Sequence, residues 1–215
     1  GCRRARGPMT TAVRSWAIAG ALVALAAIPL TVGGLRLLQL AGGPAVVPTD
    51  PRFDAGPLPV VLHVLGAAVF VLGGAAQFVP ALRRGGWHRR AGKVVVTAGL
   101  VVAGSALWMT LFTPPKPGTG DLLYLLRLVF GSAQAACLVL GVAAVRRRAL
   151  AAHRAWMIRA YAIALAAGTQ VLTIGLGTAV FGTGVWVTDL ANGAGWIVNL
   201  AVAEWIIRRP VRTPA

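Results

Sequence analysis

"VVLHVLGAAVFVLGGAAQFV", Val60–Val79, is a run of apolar and small side chains interrupted only by His63 and Gln77. It carries no charge and no proline, so nothing within it favours water or breaks a helix. About 20 such residues suffice for a helix to cross a hydrocarbon core about 30 Å thick. A strand of a closed barrel would instead alternate apolar and polar residues over about ten positions, and this stretch does not. In lipid, backbone polar groups must be satisfied within the segment, so the run is read as a transmembrane helix.

Five further runs of the same kind lie outward from it: Trp16–Leu40, Val94–Phe112, Leu122–Val145, Ala160–Phe181 and Leu190–Ile207. They explain why the chain is 57% hydrophobic and only 12% charged, where a soluble domain has about a quarter of its residues charged. The expected fold is all-α and polytopic, a bundle of six transmembrane helices. A single membrane domain, 16–207, stands between basic tails at 1–15 and 208–215. The first run follows arginines, as a signal peptide would, but it outlasts the 7–15 residues of a signal core and is expected to be retained. Met9 heads "MTTAVRSW", a second candidate start that leaves 1–8 expected to lie outside the natural chain.

Charge sets the orientation. Five acidic residues face twenty-one Lys and Arg, a net charge of +16. All but Arg36, Arg52, Lys116 and Arg127 fall in the tails or in the second and fourth connections. Short loops rich in Lys and Arg mark the cytoplasmic side, so both termini are expected inside a bacterial cytoplasmic membrane. This distribution replaces a nucleic-acid reading of the positive charge; the expected partner is a bilayer with anionic headgroups. A homo-oligomer or a membrane-protein partner is compatible with the pattern. Cys2 and Cys137 are too far apart to pair and lack metal-ligand spacing.

Polar residues inside spans are costly and mark the places to search for function. In helix two, His63, Gly66, Phe70, Gly73 and Gln77 share one face at helical spacing. Either His63 bonds across a small-residue helix interface or it handles a ligand or proton. In helix four, Arg127, Gly131 and Gln134 form a stripe, Arg127 at about the depth of His63. Snorkelling to headgroups is the alternative for Arg127, and for Arg36. Helix six carries Asn192, Asn199 and Glu204, the last expected to pair with a nearby arginine.

Two basic turns, "RRGGWHRRAGK" (Arg83–Lys93) and "RRRALAAHRAWMIR" (Arg146–Arg159), each place a His-Arg pair at the start of a helix. "FVLGGAAQ" and "FGSAQ" precede them, so helices two-three and four-five form two similar hairpins at the centre of the expected bundle. His88, Gly92, Val95 and Gly99 would share one face. His153, Met157, Ala160, Ala164 and Gly168 would share another. An imidazole there can ligate haem iron, relay a proton or bond a headgroup.

Together, "LHVLGAAVFVLGGAAQFVPALRRGGWHRRAGK", "FGSAQ" and "HRAWMIRAYA" resemble the bacterial predicted-membrane-protein family known as domain of unknown function twenty-three-zero-six. The likeness spans about Leu62 to Gln170. It implies a polytopic membrane protein and marks His63, His88 and His153. A looser likeness is to b-type cytochromes that hold two haems between four helices. It implies His88 and His153 as axial ligands of one haem b, while helix four offers Arg127 in place of a histidine for a second.

Two functions follow as expectations. One is haem-linked electron transfer through His88 and His153, with glycine-lined faces admitting the porphyrin. The other is a non-enzymatic permease or accessory factor in which His63, Gln77, Arg127 and Gln134 form a polar path or docking site. Nothing resembles a nucleotide-binding loop, a zinc-protease helix or a nucleophile elbow.

Overall fold

In the computed structural model, which describes residues 8–54, 56–83 and 86–209, the chain forms six α-helices: α1 (Pro8–Leu40), α2 (Leu58–Gln77), α3 (Trp87–Phe112), α4 (Asp121–Arg146), α5 (Leu150–Phe181) and α6 (Val185–Arg208). Each is long and apolar enough to cross a membrane. Short 3-10 turns at Pro51–Phe53 and Pro80–Arg83 sit in the first two connections.

Helices α3 and α5 begin several residues before their apolar runs. Lys, Arg and His are tolerated in helices, so the basic turns continue the helix beyond the apolar portion. Hydrophobicity locates the crossing, not the helix end. The start of α5 is set by the close of α4. There Arg148 takes φ 60°, the Arg148 amide donates to Val145 O at 3.0 Å, and the Ala149 amide donates to Ala144 O at 2.9 Å. These are the two bonds of a Schellman closure, which glycine usually makes.

Helices α2 to α5 form a ring in which each packs on the next and α5 returns to α2. Helix α1 lies against α2 and α5, and α6 against α5 and α4. The two central hairpins, α2–α3 and α4–α5, are those expected. The core joins Phe70 and Val71 of α2, Val95 of α3, Cys137 and Leu138 of α4, and Ala160, Tyr161 and Ile163 of α5. Tyr161 crosses the ring: its hydroxyl donates to Val71 O at 2.9 Å and its ring meets Phe78 edge-on at 5.3 Å. The outer stripe of α2, Leu58, Leu62, Leu65, Val69 and Leu72, stays exposed. Its three- and four-residue spacing makes it the lipid-facing side of a buried-core helix.

Six helices crossing in alternate directions put the start of α1, the start of α3, the α4–α5 connection and the end of α6 on one face. The connections 41–57, 113–120 and 182–184 lie on the opposite face, called here the far face.

Helix ends on the far face are tied by side chains. Asp189 of α6 is 1% exposed, and its carboxylate accepts from the Gly120 amide at 3.1 Å and the Leu123 amide at 3.1 Å. It therefore caps the N-terminus of α4, where free amides and the helix dipole favour an anion. Arg36, expected to snorkel, donates instead to Gln39 Oε1 and Pro48 O, each at 2.6 Å, and holds the first connection.

Candidate functional site

Between the helices, toward the far face, lies a cavity of about 370 Å³ with walls from all six helices. The 3-10 turn adds Arg52 and Phe53 to its lining. Of the residues singled out from sequence, His63, Arg127 and Gln134 line it; Gln77, His88 and His153 do not. Arg52, Thr110, Thr113 and Gln170 are further polar residues of the lining.

His63 projects from α2 toward α3. Its Nδ1 lies 3.2 Å from Val102 O and 3.2 Å from Ser105 Oγ, while the Ser105 hydroxyl donates to Val101 O at 2.6 Å. A carbonyl oxygen only accepts, so Nδ1 carries a proton. His63 thus bonds across a helix interface and also lines the cavity. Gln134 donates through Nε2 to Gly99 O at 3.3 Å, and Gln170 donates to Asn192 O at 3.0 Å. These bonds hold both amides against neighbouring helices.

Arg127 stands six residues into α4, about 9 Å below its start at 1.5 Å per residue. It lines the cavity together with Phe130. No hydrogen bond or ion pair engages its guanidinium among the described residues. The charges that act on it are Arg52 and Asp189, and both Asp189 oxygens are already bonded to the start of α4. Arg52, by contrast, is neutralised: it donates to Asp50 at 2.8 and 2.6 Å and reaches Pro114 O at 3.3 Å, tying the first far-face connection to the second. Bonding from Arg52 holds the Asp50 carboxyl below its ordinary range.

The apolar walls include Phe130 and Trp196, stacked with centroids 4.8 Å apart and planes at 15°. Trp196 lies near the middle of α6. Arg52 could not be foreseen from the sequence, because nothing in its spacing shows that its loop folds over the bundle.

The basic face is arranged differently. Arg159 donates to Glu204 at 2.5 and 3.1 Å, the pairing expected for Glu204, and lies over the Trp156 ring at 4.8 Å. His153, in the first turn of α5, holds Nδ1 at 2.8 Å from Gly141 O. On the glycine faces expected to admit a porphyrin, Gly99 and Gly168 are covered by protein. A methyl group at Gly99 would meet Phe70 Cε2 at 2.5 Å and Leu138 Cδ1 at 2.8 Å, and one at Gly168 would strike the Leu25 carbonyl of α1. These two glycines let helices approach closely, whereas Gly92 has open space beside it. The haem-linked expectation for His88 and His153 has no support in this geometry. Asn199 of α6 serves helix contact, whereas Asn192 Nδ2 donates to Thr188 O within α6. Thr169 donates to Asn199 Oδ1 at 2.7 Å, and Asn199 Nδ2 donates to Ala162 O at 3.0 Å.

Residues 60–207 match a family model described as predicted membrane protein (DUF2306). No curated protein and no solved structure matches the chain.

Proposed function

The chain belongs to the DUF2306 family of predicted membrane proteins, and from that premise we propose that it is a multi-pass protein that binds a small molecule in its far-face cavity. It acts as a permease or as an accessory factor that responds to the bound molecule. In this reading it sits in a bacterial cytoplasmic membrane with both termini inside, as the clustering of Lys and Arg in short connections supports. The cavity then opens toward the outside.

One observation carries the reading. Three polar residues that are costly inside a membrane, His63 of α2 with Arg127 and Gln134 of α4, line one cavity. Such residues mark substrate pathways by default, and a cavity of this size falls in the range of about 300–1,000 Å³ typical of small-molecule sites. Haem-linked electron transfer has no comparable support.

The test is a thermal-unfolding screen of detergent-purified protein against a varied small-molecule panel, in parallel with the Ala106→Phe variant. Ala106 lines the cavity, and the larger ring takes up its space. A ligand at about 100 times its Kd adds about 2.7 kcal/mol to the native state. Panel members should stabilise the wild type and leave the variant unshifted. A panel that stabilises neither protein, or both equally, would rule the reading out.

A further inference from the structure

Resting on the cavity reading above, we infer that the ligand is a small organic acid bound as its anion. Its carboxylate lies on Arg127 and its apolar body lies against the Phe130–Trp196 wall. The inference is about charge balance. The cavity lining holds two arginines and a histidine but no acidic side chain among the described residues. Arg52 already has its counter-charge in Asp50 at 2.6 Å. His63 donates its Nδ1–H to Val102 O across the helix interface. Arg127 is left as the cation of the cavity without a protein acceptor, and Asp189, the carboxylate acting on it, is committed to the Gly120 and Leu123 amides.

A guanidinium at that depth is matched by a planar oxyanion better than by water, because its forked donors fit a carboxylate in two parallel bonds. A neutral ligand there would leave the forked donors without a charged acceptor, and a cation would add repulsion. Below Arg127 the cavity turns apolar: Val71, Ile163 and Leu165 line it together with the aromatic pair. A purely ionic solute would leave those walls unused, so the anion has an apolar body. The volume, about 370 Å³, suits a single small molecule and not the two chains of a phospholipid.

Calorimetric titration of the detergent-purified full chain with three probes of one shape tests this: 1-naphthoate, 1-naphthamide and 1-naphthylmethylammonium. Naphthoate should bind at least tenfold more tightly than the amide, and the ammonium should not bind. In the Arg127→Gln variant the naphthoate advantage should vanish while amide binding persists, which also shows that the variant is folded. Equal binding of all three probes would overturn the charge inference and leave the cavity reading standing. Binding of none would overturn both. Repeating the titration in phosphatidylcholine and phosphatidylglycerol nanodiscs separates a free acid from a lipid headgroup. Naphthoate binding in both supports the free acid, and loss in phosphatidylglycerol alone would overturn it in favour of the headgroup.

Discussion

Asp189 illustrates how much one side chain can decide in this bundle. A carboxylate 1% exposed would be costly on its own, but its oxygens accept backbone amides at the start of α4, where the helix dipole adds to the attraction. Replacing it with alanine removes a cap between two helices, a loss of about 1–2 kcal/mol by the scale of N-cap deletions. Thermal unfolding in detergent should show that loss for Asp189→Ala and a smaller one for Asp189→Asn, which keeps one acceptor. Equal stability of wild type and Asp189→Ala would contradict the capping role. Nothing in the sequence marks Asp189, because a cap supplied from another helix leaves no local spacing signal. His63, Arg127 and Gln134 were legible for a physical reason: polar groups inside a span are costly, and their presence needs an explanation. The same reasoning marked Gln77, which does not line the cavity. Cost identifies candidates, and only tertiary packing tells which of them meet.

At the scale of elements, hydropathy located all six helices but not their ends. Helix α5 starts at Leu150, well before the apolar run from Ala160, because the Schellman closure after Arg146 breaks the chain and the basic residues beyond it are acceptable helix formers. That closure rests on a non-glycine residue at positive φ, Arg148. Left-handed backbone costs an L-residue about 1–2 kcal/mol, and glycine gives back part of this through its greater freedom when unfolded. The Arg148→Gly variant should therefore unfold at a higher temperature, by an amount equivalent to about 0.5–1 kcal/mol. A lower unfolding temperature would show that the Arg148 side chain contributes more than its backbone costs. The hairpin likeness, read from a Gln and a His-Arg pair in each, holds for the arrangement of α2–α3 and α4–α5 but not for the roles of those residues. Gln134 lines the cavity, whereas Gln77 ends α2 outside it.

For the whole molecule, the six-helix architecture was legible because the bilayer imposes a length and a polarity on every crossing. The cavity was not legible. It depends on how α1 and α6 close against the α2–α5 ring, and on a loop whose arginine ties two connections together. Apolar helices in lipid associate through close packing and scattered hydrogen bonds, so their mutual placement leaves little trace in composition. The central claim is that this closure creates a space that admits small molecules and favours anions. The most direct measurement is the rate at which the Thr110→Cys variant, in a background with Cys2→Ser and Cys137→Ala, reacts with membrane-impermeant methanethiosulfonates after reconstitution into liposomes. Thr110 lines the cavity. An anionic reagent should react about tenfold faster than a cationic one of similar size, the lower end of the range for charge-focusing clefts, and the ratio should fall toward one when Arg127→Gln is added. An unreactive thiol, or faster reaction with the cationic reagent, would contradict the account.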